Sequence, residues 1–169
     1  GILAGINWAI ANGCEVISMS LGSKAPPQPY YEQAAQRALA AGSLIIAAAG
    51  NDSNRPSYVH PTGAPGNSPS IVAVAALDAN LNLAMFSNGG KIEIGGPGVD
   101  VFSSIPMPRQ YATFSGTSMA TPHVAGIAAL IAESNTAHRG VALANRLRAT
   151  ARALPHPASD VGSGLVQAP

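Results

Sequence analysis

The sequence is poor in charge and in cysteine, and it has no long hydrophobic run. Only 10% of its 169 residues are charged, and the formal net charge is +1. Without a cluster of Lys or Arg, the chain has no electrostatic support for a nucleic-acid or anionic-membrane partner. The single Cys14 excludes an intramolecular disulfide and a cysteine-rich metal site. The main apolar runs, 44–49 and 127–132, are far shorter than the ~20 residues of a membrane span.

What the sequence does contain is a hydrophobic content of 47%, which suits a globular unit with a well-buried core. Helical and strand patterns alternate, and this alternation predicts an α/β sandwich with a mainly parallel sheet. No linker long enough to separate a second domain is visible, so residues 1–169 are assigned to one domain. The predicted helices and strands are helices 1–12, 30–41, 118–133 and about 139–150, and strands 15–21, 44–49, 71–76, 91–94, 101–104 and 111–114.

The most informative segment is GTSMATPHVAG, residues 116–126, at the start of a nearly all-apolar predicted helix. Gly116 allows a sharp turn, and Ser118 lies where the unpaired amides of a helix N-terminus favour developing negative charge. A serine in that position beside a cleft is suited to act as a nucleophile. From position alone, the simpler interpretation is that Ser118 only caps the helix. Pro122 is expected in the first turn, where proline is tolerated.

A second informative segment is AAAGN, residues 47–51, at the end of the predicted strand 44–49. Ligands gather beyond the carboxyl ends of strands in parallel α/β sheets. A side-chain amide at Asn51 is therefore suited to donate a hydrogen bond to an oxyanion. Taken alone, the segment is more simply interpreted as a turn with Asn51 as an ordinary turn residue.

Together, these segments resemble the subtilisin-like serine proteases. GTSMATPHVAG is similar to the nucleophile signature of that family, and AAAGN is similar to its oxyanion-hole strand. The resemblance covers essentially the whole chain and implies a subtilisin-like, three-layer α/β sandwich. It implies that Ser118 is the nucleophile and that Asn51 is the side-chain donor to the oxyanion, beside the Ser118 amide. It identifies the chain as the C-terminal portion of a catalytic domain whose N-terminal part is missing.

The resemblance also implies a substrate cleft. Segment 18–22 is similar to the strand that pairs with extended substrates, and segment 64–74 to the one that closes the main specificity pocket. A cis bond is expected between Ala64 and Pro65. The small, uncharged residues along its walls predict a roomy, mostly apolar pocket. At the rim, Asp52 either modestly favours a basic substrate side chain or is simply a solvated loop residue. The predicted substrate-binding residues are Ser20, Leu21, Gly22, Ala48, Ala49, Gly50, Asp52 and Gly63.

The chain lacks the D-[ST]-G and H-G-T-H-V-A-G motifs that carry the triad aspartate and histidine of the resembled family. His123 lies about 140° around the predicted helix from Ser118 and is not expected to be the base. We therefore expect a serine endopeptidase whose Asp and His come from an absent upstream segment, so that the isolated chain is inactive. The alternative is a catalytically silent fragment that binds peptide or protein. A nucleotide-binding domain is disfavoured because GxGxxG and phosphate-loop patterns are absent.

Cofactors and partners follow from the same resemblance. No cofactor is expected for catalysis, and four scattered histidines with one cysteine show no metal-ligand spacing, so no metal-binding residue is predicted. The resemblance allows structural calcium, including a carbonyl-lined site in the loop 63–71, but no carboxylate cluster supports it. The expected partners are a peptide or protein substrate, the missing N-terminal half and a propeptide. The resemblance favours a secreted or extracellular location and leaves a cytoplasmic one open.

Overall fold

The computed structural model describes all 169 residues, and helices and strands alternate along it. No helix combines the length and the hydropathy that crossing a membrane requires. The helices are α1 (Ile2–Ala11), α2 (Pro29–Ala40), α3 (Thr117–Ser134), α4 (Gly140–Ala149) and α5 (Ala158–Val161). The strands are β1 (Val16–Met19), β2 (Leu44–Ala48), β3 (Val72–Leu77), β4 (Ile94–Pro97), β5 (Val101–Ser104) and β6 (Tyr111–Phe114).

Four of the strands form an entirely parallel sheet in the order β1-β2-β3-β4. The two central strands, β2 and β3, are buried along their whole length, which explains their uninterrupted apolar sequences LIIAA and VAVAAL. β5 and β6 pair separately as an antiparallel hairpin. The prediction of a mainly parallel α/β sheet is therefore confirmed.

Helices cover both faces of the sheet. On one face, α3 and α4 pack against alternate residues of the central strands, including Ile46 and Val74. On the other face, α1 and α2 pack against Ile45 and Ala47. Neighbouring strand residues point to opposite faces, so Ile45 and Ile46 enter different cores. This arrangement is the three-layer sandwich that the sequence predicts.

Most predicted boundaries agree with the structure to within one or two residues, but the strand predicted at 91–94 is wrong in position. β4 begins only at Ile94, because the two charged side chains before it turn inward to other parts of the protein. Lys91 reaches backbone carbonyls of the loop 66–71, and Glu93 accepts a hydrogen bond from the Ala73 amide. The four-residue α5 was not predicted, because it is too short to show a helical pattern.

The position predicted for Pro122 is also wrong. α3 begins at Thr117, so Pro122 lies in its second turn rather than its first. Proline has no N–H, and the carbonyl of Ser118, four residues earlier, therefore has no helical donor. The hydroxyl of Ser20 donates to that carbonyl at 2.7 Å instead. The proline thus creates the acceptor through which the segment after β1 is joined to the start of α3.

Candidate active site

A cleft of about 520 Å³ opens where the carboxyl ends of β1 and β2 meet the N-terminus of α3. The two strands run parallel, with Met19 beside Ala47, so the residues that follow each strand emerge at the same edge of the sheet. The structure brings all ten of the predicted site residues to this cleft. They are Ser20, Leu21, Gly22, Ala48, Ala49, Gly50, Asn51, Asp52, Gly63 and Ser118.

Ser118 is the second residue of α3 and is partly exposed to the cleft. The N-cap of the helix is Gly116, so the interpretation of Ser118 as the cap is wrong. The Ser118 backbone N–H has no hydrogen-bond acceptor in the protein, as is usual in the first turn of a helix. Its hydroxyl makes only one contact, a long one of 3.4 Å to the carbonyl oxygen of Ser20. Both groups are therefore available to a ligand in the cleft.

Asn51 is held in a defined orientation by Thr117, a residue that the sequence did not single out. The Asn51 Oδ1 atom accepts hydrogen bonds from the Thr117 backbone N–H at 2.8 Å and from the Thr117 hydroxyl at 2.9 Å. The same hydroxyl accepts a bond from the Gly50 N–H at 3.2 Å. Thr117 is fully buried, so neither of its donors has water as an alternative partner. The only signal for this role in the sequence is its place beside Ser118.

Because Oδ1 takes both bonds from Thr117, the Nδ2 end of Asn51 is left without a partner. Two N–H donors, Asn51 Nδ2 and the Ser118 amide, therefore remain unpaired at the start of α3. Gly116 lies beside this donor: a Cβ added there would be 3.4 Å from Asn51 Nδ2, within van der Waals contact. Donors that are fixed in advance by the protein are the kind that stabilise negative charge developing on a substrate oxygen.

No histidine or carboxylate of the chain forms a hydrogen bond with the Ser118 hydroxyl. His123 is exposed, and its Nδ1 atom lies 2.8 Å from the carbonyl oxygen of Met119, on its own helix. It lines a second cavity, of about 490 Å³, which Ser118 and Met119 also line. His123 is thus engaged with its own helix rather than with Ser118, in agreement with the helical spacing.

Two glycines shape the walls of the cleft. Gly50 has a φ of 112°, a conformation that favours glycine, and a Cβ there would collide with the side chain of Asn88. A Cβ at Gly63 would collide with the carbonyl oxygen of Ser23 on the facing segment. The Ala64–Pro65 bond that follows is cis, as the sequence predicts.

The expectation of a mostly apolar pocket is wrong, because only three of the thirteen lining residues are hydrophobic. At the rim, Lys24 Nζ lies 3.2 Å from Asp52 Oδ1, so Asp52 is not a simply solvated loop residue. Partial burial raises the pKa of Asp52, but hydrogen bonds from Asn88 and Lys24 and the charges of Lys24 and His60 outweigh it and hold the pKa below its ordinary 3.8. Asp52 is therefore a carboxylate at neutral pH.

The loop under the cleft is fastened by Lys91, which sequence reasoning also missed. Its ammonium donates to the carbonyl oxygens of Gly66, at 3.0 Å, and Ile71, and it pairs with Glu93 at 2.8 Å. Two carbonyls of the loop 63–71, those of Gly66 and Ile71, therefore already face a positive charge, and these two oxygens do not suit a calcium ion while Lys91 is in place. Elsewhere, no group of three or more His, Cys, Asp or Glu residues comes together.

Comparisons with known proteins show which family the chain resembles. A family model described as the subtilase family matches residues 2–164. Alkaline elastase YaB of Bacillus sp. (strain YaB) is 44% identical over 169 residues, which cover 99% of this chain and 43% of that protein. Subtilisin DY of Bacillus licheniformis is 42% identical over 151 residues, covering 89% of this chain and 54% of that protein.

A solved structure, that of the prenylagaramide maturation protease PagA, has the same fold. It superposes with a TM-score of 0.83 at 28% sequence identity, covering 98% of this chain and 64% of that one. The chain spans about half the length of the curated relatives it matches.

Proposed function

This chain is a member of the subtilase family, and from that premise we propose that it is the C-terminal part of a serine endopeptidase. The observation that carries the proposal is the meeting, in one cleft, of the Ser118 hydroxyl with two unpaired N–H donors, the Ser118 amide and Asn51 Nδ2. A nucleophile beside preorganised donors is the arrangement that acyl transfer requires.

In the proposed reaction, Ser118 Oγ attacks the carbonyl carbon of a peptide bond while a histidine from outside this chain accepts the hydroxyl proton. The carbonyl oxygen becomes an oxyanion and accepts hydrogen bonds from the Ser118 amide and from Asn51 Nδ2. The C–N bond then breaks, the histidine protonates the departing amine, and the acyl group remains on Ser118. Water, deprotonated by the same histidine, attacks the acyl-enzyme and releases the second product.

We propose that the substrate backbone pairs with residues 20–22 at the end of β1. None of the three backbone N–H groups of Ser20, Leu21 and Gly22 donates to an acceptor in the protein, and all three residues are exposed. An extended peptide can use such free main-chain groups for affinity, whatever its side chains are. The small walls at Ala48, Ala49, Gly50 and Gly63 then receive one substrate side chain.

The base and the residue that orients it are proposed to come from a segment outside this chain. Two observations support this: no base forms a hydrogen bond with the Ser118 hydroxyl, and β1 pairs only with β2, so its outer edge is free. β1 is also less buried than the fully covered β2. A free, partly apolar edge is a natural place for a further strand to add. An extracellular site of action belongs to the same proposal and rests on family membership alone, as does a propeptide.

A fluorophosphonate probe tests the proposal. The full-length protein should be labelled at Ser118, the Ser118→Ala variant should not be labelled, and Ala in place of the exposed, unbonded Ser57 should change nothing. The isolated 169-residue chain should label weakly, because a serine without a base is a poor nucleophile. Strong labelling of the isolated chain would contradict the proposed external base.

The competing hypothesis is a silent module that binds peptide without cleaving it. It draws on the missing base near the Ser118 hydroxyl, and it predicts that even the full-length protein binds peptides but is not labelled. The same experiment therefore separates the two functions.

A further inference from the structure

Two opposite charges lie on the rim of the cleft, and the protein holds them unequally. Asn88, which is fully buried, donates to Asp52 Oδ2 at 3.2 Å and accepts the Asp52 backbone N–H at 2.8 Å. The Asp52 side chain is 28% exposed. The Lys24 side chain is 67% exposed, and its only polar contact is the one of 3.2 Å with Asp52 Oδ1. The carboxylate is therefore fixed in place, whereas the ammonium is free to move away.

Lys24 and Asp52 are the only charged residues among those lining the cleft. A carboxylate alone at this rim would attract an ammonium or a guanidinium and repel another carboxylate. With Lys24 in place, the net charge at the rim is zero. A basic substrate side chain is then attracted to Asp52 only if it displaces Lys24. An acidic substrate side chain is attracted to Lys24 only if it draws Lys24 away from Asp52.

We propose that Lys24 is a specificity-determining residue which, by neutralising Asp52, directs the cleft toward peptides with an uncharged side chain. This inference rests on the function proposed above and adds a substrate class to it. An exposed ion pair contributes little to stability, so replacing Lys24 should leave the fold intact and an effect on selectivity can be measured. The resemblance had left two interpretations of Asp52 open, a modest attraction for basic side chains or a solvated loop residue, and the ion pair with Lys24 cancels that attraction.

The experiment compares kcat/KM of the full-length protein for peptides that differ only in the residue before the cleaved bond. Lys is paired with Met, and Glu with Gln, because each pair changes charge at nearly constant size. The variants are Lys24→Met, Asp52→Asn and the double variant. Arg146→Gln, which removes an exposed charge that makes no side-chain contact, is the matched control. The concentration of active protein is set by fluorophosphonate titration of each variant.

In the Lys24→Met variant, kcat/KM for the Lys peptide divided by kcat/KM for the Met peptide (the Lys-to-Met ratio) should rise by about 2- to 5-fold, the range for one partly screened charge. Asp52→Asn should raise the Glu-to-Gln ratio by about as much, and the double variant should restore both ratios. These differences should shrink in 1 M NaCl, where the Debye length falls to about 3 Å. Arg146→Gln should leave both ratios at the parent value.

Unchanged ratios in Lys24→Met and Asp52→Asn would overturn the inference while leaving the peptidase intact. An equal loss for all four peptides in Lys24→Met would also overturn it, because Lys24 would then support the cleft rather than select its occupant. If no peptide is cleaved and Ser118 is not labelled, the proposed function itself fails and the inference fails with it.

Discussion

Replacing Lys91 with Met should destabilise the loop under the cleft. The Lys91 ammonium donates to the backbone carbonyls of Gly66 and Ile71 and to the Glu93 carboxylate. Both carbonyls belong to buried residues, and neither accepts any other hydrogen bond in the protein. Methionine keeps the length of the side chain but supplies no donor. The substitution therefore isolates the charge and its hydrogen bonds from side-chain volume.

Two opposing contributions set the magnitude. Removing one partner of a buried ion pair costs about 3–5 kcal/mol, because the other charge is left uncompensated. Burial lowers the pKa of Lys91 below its ordinary 10.5 although Glu93 acts in the opposite direction, so the variant regains part of the desolvation cost of the ammonium. Two further facts reduce the cost. The Lys91 side chain is 28% exposed, and in the variant the Glu93 carboxylate still accepts the hydrogen bond from the Ala73 N–H at 2.6 Å. We expect a net loss of about 2 kcal/mol, which lowers Tm by roughly 4–8 °C.

The assay is thermal unfolding, followed by circular dichroism, of the full-length protein carrying Ser118→Ala to prevent self-digestion. Lys24→Met is the matched control: it removes the other lysine of these 169 residues, which is 67% exposed, and should change stability by no more than about 0.5 kcal/mol. Adding Glu93→Gln to Lys91→Met should recover part of the loss, because it neutralises the orphaned carboxylate. A Tm for Lys91→Met equal to that for Lys24→Met would refute the reasoning.

Three further predictions concern the site and its supports. Asn51→Asp keeps the acceptor oxygen but removes the Nδ2 donor. We expect kcat in peptide hydrolysis to fall by roughly 10²–10³-fold, the range known for loss of the oxyanion-hole asparagine of a subtilisin. An unchanged kcat would remove Asn51 from the mechanism. Partial burial raises the pKa of Glu32, but hydrogen bonds, led by those from Ser70, outweigh it and lower the pKa below 4.5. The stabilisation of the folded state by the Glu32 carboxylate is complete above pH 4.5 and is lost as pH falls through the folded-state pKa. In Glu32→Gln, Tm should therefore fall less steeply as the pH is lowered. Glu133→Gln, at an exposed position, should not change this pH dependence. Mild peroxide should lower peptidase activity by oxidising the partly exposed Met119, and full activity after oxidation confirmed by mass spectrometry would contradict this.

Strong local patterns account for what the sequence predicted about the fold. β2 and β3 are apolar without interruption and lie in the middle of the sheet, where helices cover both faces, so their strands and their burial follow from composition alone. Where local patterns are weak or compete with contacts to distant residues, the predicted element boundaries differ from the observed ones. The strand expected at 91–94 begins at Ile94, since Lys91 has partners in a loop more than twenty positions earlier at Gly66.

The predicted site residues come together for a topological reason. Parallel strands place the residues after each strand at one edge of the sheet, so segments 20–22 and 49–52 meet the start of α3 even though they are far apart in the chain. Spacing on one helix was also sufficient to predict that His123 is not hydrogen-bonded to Ser118. The catalytic roles assigned to Ser118 and Asn51 remain predictions, to be decided by labelling and kinetics.

By itself, the sequence determined which residue types stand at the cleft, because a serine, an asparagine and small residues for the walls are recorded in short contiguous segments. Only the tertiary structure decided how they are oriented and what surrounds them. Thr117 fixes Asn51 across 66 positions of the chain, and Ser20 reaches the Ser118 carbonyl across 98. Lys24 likewise meets Asp52 only in the fold. Hydrogen bonds and ion pairs of this kind depend on distances of a few ångströms between distant segments, and those distances are set by packing rather than by any local pattern.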